Sequence, residues 1–149
     1  MCPAEQESPR KYTLTQNRSL IFHLLYTLEV SDERSVTSAI DNLNQGYEQD
    51  ISQDGEIAQA VKYIVAQREF LDETIQGFLK NWRLNRLGLC TWLILRIGVW
   101  ELIFTREPAS IIINEAIELA KDFAEKDAYK FINGVLDQVA EKREILKPS

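Results

Sequence analysis

The fold of this chain is decided by residues 89–104, which read LCTWLILRIGVWELIF. Apolar side chains surround most of the circumference of a helix built from this stretch, whereas a surface helix keeps one polar face. We therefore predict a helix at the centre of a helical bundle. Arg96 would then be buried, and because an unpaired buried cation is costly, it should bind a carboxylate, either Asp137 or Glu101.

On both sides of this helix, apolar residues recur at the three- and four-residue spacing of helices. No alternating strand pattern persists over six residues, and none of the four prolines falls inside a predicted helix. The first of the other predicted helices begins near Thr13 with a capping box to Gln16, and the second runs from Val36 to a stop at Gly46. The third begins at Ile57 and bends near Arg68. Two further helices follow the central one, the first starting after Pro108 and the second near Asp127. The sequence thus predicts an all-α single domain of six to seven helices over residues 13–146, preceded by a disordered arm, residues 1–12.

The composition is that of a soluble globular protein, with 149 residues of which 45% are hydrophobic and 27% are charged. No apolar run reaches the ~20 residues that cross a bilayer, and the first residues lack the basic and apolar regions of a secretory signal. We therefore expect a cytoplasmic location and no membrane contact. Cys2 and Cys90 are far apart and His23 is the only histidine, so neither a disulfide nor a metal site is expected.

The residues present do not support catalytic chemistry. The sequence contains no glycine-rich phosphate loop, no paired cysteine–histidine set, and no serine–histidine–acid arrangement that His23 could complete. We expect no enzyme activity, no cofactor and no small-molecule substrate. We interpret His23 as a structural or solvated residue.

The charge is distributed unevenly along the chain. The net charge of -6 argues against a nucleic-acid binder. Residues 31–75, however, contain ten acids and three bases, for a local charge of -7, whereas residues 76–106 contain five bases and one acid, for a local charge of +4. The basic segment either forms a surface patch or simply solvates helix surfaces, and both interpretations stay open.

Two groups of polar residues interrupt otherwise apolar helices. Asn114 and Glu115 are predicted in the first turn of their helix, where an amide can satisfy free N–H groups and a carboxylate favours the helix dipole. Asn133 and Gly134 lie within the last helix, where a glycine costs ~1 kcal/mol relative to alanine. Close helix packing and the approach of a ligand would each explain Gly134. Asp137, one turn further on, could hydrogen-bond to Asn133.

Four segments, taken in order, resemble the NusB family of transcription antitermination factors: WRLNRL from residue 82, LRIGVWEL from residue 95, INEAIELAK from residue 113 and FINGVLD from residue 131. The resemblance implies an orthogonal all-helical bundle. It also implies binding of the boxA element of nascent RNA together with NusE, a ribosomal protein that doubles as a transcription factor. Such a complex joins elongating RNA polymerase and suppresses termination, notably on ribosomal RNA operons.

The resemblance also implies where RNA binds. Family members carry an arginine-rich run at the start of the first helix, and the matching residues 14–18 retain one arginine. Two aromatic residues match family positions at the RNA or partner surface, although Phe131 could equally be a core residue. The predicted RNA-binding residues are Arg10, Lys11, Arg18, Tyr26, Lys130 and Phe131.

A partner surface is implied by three further positions. Asp127 matches a family position at or near the RNA or partner surface. Thr91 and Trp92 replace the acid–arginine pair that is usual in the central helix. If that face binds NusE, it has become more apolar here, whereas Trp92 could instead be buried.

Two other functions remain open. The chain could be a helical protein–protein adaptor of the same fold that has lost most RNA binding, which the reduced arginine run and the acidic net charge favour. It could also be an RNA-guiding domain related to those fused to ribosomal RNA cytosine methyltransferases. That function would require a catalytic domain, which these 149 residues do not contain.

Overall fold

A computed structural model of the chain describes residues 12–31, 35–79 and 87–148. Across these three ranges it contains eight α-helices and no strand, so the predicted all-α class is confirmed. The helices are α1 (Leu14–Val30), α2 (Val36–Tyr47), α3 (Glu56–Ala66), α4 (Arg68–Gly77), α5 (Leu89–Phe104), α6 (Ala109–Phe123), α7 (Ala128–Glu141) and α8 (Arg143–Leu146). The number exceeds the predicted six to seven because the bend near Arg68 divides one helix into α3 and α4, and because a single turn, α8, follows α7.

The helix ends test the predicted start and stop signals. The capping box at the start of α1 is confirmed, since the Gln16 N–H donates to the Thr13 hydroxyl at 3.0 Å and the Thr13 N–H donates to the Gln16 side chain at 2.8 Å. The predicted stop at Gly46 is wrong. Helix α2 continues to Tyr47 and ends at Glu48, which adopts a left-handed conformation with φ 53°.

The predicted position of α5 at the centre of the bundle is confirmed. Eleven of its sixteen residues are buried, a larger share than in any other helix that the structure describes. Helices α1, α3, α4, α6, α7 and α8 all contact it. Burial of apolar side chains around α5 stabilises the fold, together with the core residues of the helices that contact it. No helix among the described residues is both long enough and apolar enough to cross a membrane.

The predicted partner of Arg96 is wrong. Its guanidinium donates to both oxygens of Asp72 on α4, at 2.7 and 3.0 Å, and to Glu29 on α1 at 3.1 Å. Glu101 lies five residues further along α5 and points in another direction around the helix, where it binds Arg18. Asp137 is exposed on α7. Arg96 is nevertheless paired to carboxylates, as its burial requires.

A second arginine closes the end of α5. The carbonyl groups of the last turn of a helix have no partner within the helix. Arg143 on α8 donates to the carbonyl oxygens of Leu102, Thr105 and Glu107, at 2.6, 3.0 and 2.7 Å. Helix α8 therefore satisfies groups at the end of α5 and in the connection to α6.

The close-packed glycine of this bundle is Gly98, and the packing interpretation of Gly134 is wrong. A Cβ atom on Gly98 would lie 2.9 and 3.0 Å from the two methyl carbons of Leu136, which is fully buried on α7. A Cβ atom on Gly134 would meet nothing within 4 Å, and that residue is exposed. Gly98 therefore allows α5 and α7 to approach each other.

We predict opposite effects for two glycine-to-alanine substitutions. Gly98→Ala should lower the free energy of unfolding by about 1–3 kcal/mol, because the added methyl group overpacks the contact with Leu136. Gly46→Ala is the matched control, since Gly46 is helical with no neighbour near its Cβ position. It should raise stability by roughly 0.5–1 kcal/mol. Urea denaturation followed by circular dichroism measures both, and a stabilised Gly98→Ala variant would contradict the packing assignment.

Candidate nucleic-acid interface

The start of α1 does not present Arg18 to solvent. Its side chain is buried, with the residue only 5% exposed. The guanidinium donates to both oxygens of Glu101, with Nε–Oε1 at 2.9 Å and Nη2–Oε2 at 2.7 Å, and to Glu107 at 2.7 Å. The prediction that Arg18 binds an RNA phosphate conflicts with this geometry, because two carboxylates already match its charge.

The electrostatics of this ion cluster favour a charged arginine. Burial alone would lower the pKa of Arg18, but the hydrogen bonds and charge of Glu101, together with Glu107, raise it above its ordinary value. Burial raises the pKa of the Glu101 carboxyl, Arg18 opposes this increase, and the nearby charge of Glu107 adds to it. Arg18 therefore favours the ionised form of the Glu101 carboxyl, which burial alone would disfavour.

The exposed residues at the start of α1 are polar or apolar rather than basic. Thr15 donates from its hydroxyl to Glu115 on α6 at 3.0 Å. Glu115 therefore joins two helices instead of serving the first turn of α6, as was predicted. Helix α6 begins at Ala109, so Asn114 and Glu115 both lie beyond its first turn, and Asn114 is exposed.

Tyr26 lies at the surface above a cluster of aromatic rings. It is 39% exposed, and its ring stacks on Phe22 with centroids 6.3 Å apart. Phe22 stacks in turn on Phe123 at 4.8 Å, and His23 meets the same Phe123 ring edge-on at 5.0 Å. Burial lowers the pKa of His23, in agreement with its interpretation as a structural residue. Phe22 therefore lies between Tyr26 and Phe123, which is the last residue of α6.

The start of α7 carries the other predicted contacts. Asp127 precedes the helix in a left-handed conformation with φ 67° and is exposed. Lys130 is also exposed, and Phe131 is half-buried against the core. Sequence reasoning missed two neighbours, because Lys121 on α6 and Tyr129 on α7 meet only across the turn between these helices. The Tyr129 ring centre lies 5.3 Å from the Lys121 ammonium and 5.9 Å from the Lys130 ammonium.

The predicted partner face on α5 is largely internal. Thr91 is 2% exposed, so the prediction that it contacts a partner conflicts with its burial. Trp92 is half-buried against the core, and the guanidinium carbon of Arg96 lies 5.7 Å from the centre of its ring. This contact agrees with the interpretation of Trp92 as a packed residue.

Other predicted site residues are not brought together with these. Asn133 is half-buried, whereas Asp137 is exposed, on the same helix as Phe131. Arg10, Lys11 and the residues from Trp82 to Arg86 lie outside the described residues. Within those residues, no three His, Cys, Asp or Glu side chains are grouped so that they could hold a metal ion.

Comparison with known proteins identifies the family. The model of the NusB family matches residues 15–141 of this sequence. The chain belongs to the NusB family. It is 33% identical to the transcription antitermination protein NusB of Macrococcus caseolyticus over 130 residues, which covers 87% of this chain and 97% of that protein. It is 38% identical to the protein of the same name from Staphylococcus haemolyticus over 125 residues, covering 83% and 96% of the two chains.

Solved structures show the same fold. NusB of T. maritima superimposes with a TM-score of 0.78 at 27% identity, covering 90% of this chain and 94% of that one. A crystal structure of the antitermination factors NusB and NusE in complex with dsRNA contains a chain that superimposes with a TM-score of 0.72 at 27% identity. That match covers 85% of this chain and 95% of the other. NusB-family members therefore share the bundle that positions Tyr26 and the start of α7.

We predict that removing the charge of Arg18 destabilises the protein in a pH-dependent way. Arg18→Met should lower the free energy of unfolding by about 3–5 kcal/mol near neutral pH, because it leaves Glu101 buried and unpaired. Without Arg18, the pKa of Glu101 rises further in the folded state, while in the unfolded state it keeps its ordinary value. Between these two pKa values the folded state binds more protons, so the stability of the variant falls as pH rises.

Urea denaturation at about pH 5 and about pH 8 measures this effect, and the deficit relative to the parent should be larger at the higher pH. Arg106→Met is the control, because Arg106 is exposed. It should change stability by no more than about 0.5 kcal/mol. Equal and small effects of the two substitutions would contradict the ion cluster.

Proposed function

We propose that this protein is a transcription antitermination factor that binds boxA-type RNA together with the ribosomal protein NusE on elongating RNA polymerase. The observation that carries the proposal is the family match over residues 15–141. The similarity in fold to a NusB chain solved with NusE and dsRNA supports it. In this role the protein works in the cytoplasm as a binding module, over residues 13–146 with an arm of residues 1–12, and without catalysis, cofactor or small-molecule substrate.

The surface proposed to meet RNA is built around Tyr26 and the first turn of α7. The stack of Phe22 and Phe123 beneath Tyr26 fixes its ring at the surface, where it can stack on an unpaired base. Lys130 offers a charge for phosphate, and Phe131 offers a half-buried ring. Rings for bases and cations for the backbone are the means by which proteins bind single-stranded RNA.

The burial of Arg18 weakens the RNA contact at the start of α1. Of the arginine-rich run that the family resemblance implies, this chain retains one arginine within residues 14–18, and that arginine is bound to Glu101 and Glu107. Each missing phosphate contact lowers affinity and flattens its dependence on salt. RNA binding should therefore depend more on NusE than on this helix.

A second candidate function is a protein–protein adaptor of the same fold with little RNA binding. The inward orientation of Arg18 and the net charge of -6 favour it. The two functions differ in a single measurable property, the affinity for boxA-type RNA when NusE is present.

We predict that the protein alone binds boxA-type RNA weakly and that NusE raises the affinity. Fluorescence anisotropy of a labelled RNA, titrated with and without NusE from about 50 to about 200 mM salt, measures both the affinity and the salt slope. Tight binding by the protein alone at physiological salt would contradict the role assigned to Arg18. No binding even with NusE would favour the adaptor.

Phe131 and Phe78 provide a matched pair for testing the ring at the start of α7. Both are half-buried phenylalanines that pack against the same core. Replacing either with alanine should reduce stability through lost packing, by up to ~3–5 kcal/mol for complete burial. Only Phe131→Ala should also weaken RNA binding at a temperature where both variants are folded, by ~1–3 kcal/mol if the ring stacks on a base. Equal RNA affinities in the two variants would make Phe131 a core residue only.

A further inference from the structure

A groove of about 350 Å³ lies between the connection from α2 to α3 and the residues around the start of α1. Hydrogen bonds fix the connection in place. The Ile51 N–H donates to the side-chain oxygen of Asn44 at 2.8 Å, and the Asn44 amide donates to the Ile51 carbonyl oxygen at 3.1 Å. Ile51 and Ile57, which are both buried, contribute apolar surface to the groove. The groove is therefore preformed and partly apolar.

Tyr12 brings the chain to the edge of this groove. It is one of the lining residues, and its ring packs against the core. Its hydroxyl donates to the Gln49 side-chain oxygen at 3.0 Å and accepts a hydrogen bond from the Asp50 N–H at 3.0 Å. Because consecutive Cα atoms are about 3.8 Å apart, the two residues before Tyr12 lie within roughly 7.6 Å of its Cα atom. The chain that precedes Tyr12 therefore starts at the groove.

The charges of the groove and of this preceding segment are opposite. Asp50 and Glu56 line the groove, and no base is among the described residues that line it. Arg10 and Lys11 come directly before Tyr12 in the sequence. These charges favour a basic segment in the groove over the phosphates of an RNA, which two carboxylates would repel.

The carboxylates can bind such a segment without giving up the contacts that they already make. Glu56 accepts a hydrogen bond from the side-chain amide of Asn17. A carboxylate has about four lone-pair positions, so it can bind a cation in addition. Both acids are exposed at the groove, where a long basic side chain can reach them while its methylene groups cover apolar surface.

We propose that the segment ending at Lys11 docks in this groove, with Arg10 and Lys11 paired to Asp50 and Glu56. Exposed ion pairs are individually weak. The covalent connection through Tyr12, however, gives the segment a high effective concentration at the groove. The docking goes beyond the proposed function, because it gives the two bases a partner within the chain and keeps them from binding RNA.

Limited digestion of the full chain with trypsin measures the docking. Trypsin cleaves after Arg10 and after Lys11, and it reaches these bonds mainly when the segment has left the groove. The groove variant, Asp50→Asn with Glu56→Gln, removes both charges with little change in shape. Its cleavage at these bonds, followed by mass spectrometry, should be at least about threefold faster than that of the parent, because two weak ion pairs are lost.

The matched control variant is Asp137→Asn with Glu141→Gln. It removes the same two charges from exposed positions on α7, which contributes no residue to the lining of the groove. Its cleavage rate should equal that of the parent. Thermal unfolding of both variants establishes that each is folded at the temperature of the digestion. Equal cleavage rates in the groove variant and the control variant would overturn the docking.

The labelled-RNA titration with NusE present tests the consequence for RNA. The groove variant releases two cations, so its affinity should be at least about twofold higher than that of the control variant, with a steeper salt slope. Weaker RNA binding by the groove variant would make the groove an RNA site and overturn the docking. Equal affinities would overturn the claim that docking keeps the two bases from RNA. A parent protein that binds no RNA with NusE would contradict the proposed function, whereas the trypsin rates would still decide the docking.

Discussion

Helix α5 is apolar on all sides, yet it carries two charged residues, Arg96 and Glu101. The arrangement of the other helices depends on these two properties. The apolar surface of α5 requires neighbours all around it, while Arg96 and Glu101 require partners of opposite charge within that enclosure. Helix α1 supplies one at each end, with Arg18 on Glu101 and Glu29 on Arg96. The paired residues follow opposite orders along the two helices, so the ion pairs also fix the antiparallel direction of α1 and α5.

The same constraint explains why the site differs from what the family resemblance implied. An arginine at the start of α1 can either face solvent, where RNA could bind, or neutralise a buried acid. Because Glu101 is buried and requires a cation, Arg18 has the second role. Because Arg18 is buried, it is not among the exposed cations of the described surface. Two of those exposed cations, Lys121 and Lys130 at the α6–α7 turn, lie close to the ring of Tyr129. Arg18 therefore stabilises the fold, and the phosphate contact proposed for this protein involves another, exposed basic residue, Lys130.

Much of the fold could be predicted from the sequence, because the buried face of a helix and its ends depend on residues that are close together in the sequence. The apolar circumference of residues 89–104 predicted the central helix, and Thr13 with Gln16 predicted the start of α1. The partner of Arg96 could not be predicted, since contacts between helices depend on their crossing and not on periodicity within either one. For the same reason close packing was one of the two explanations offered for Gly134, although Gly98 has that role. Tyr26 and Lys130, which were predicted to bind RNA, are exposed, so that prediction stays open. The approach of Lys121 to Tyr129 could not be predicted, because it occurs across a turn between two helices.

The bonds from Arg143 have a consequence for how the chain matures on the ribosome. The carbonyls near the end of α5 receive their donors from a residue that is synthesised after every other helix in contact with α5. Elongation therefore exposes the most apolar segment of the protein well before the group that closes its last turn has emerged. A bundle whose centre depends on a later segment acquires these hydrogen bonds only after α8 has been synthesised, and before the surrounding helices are in place α5 can associate with other nascent chains.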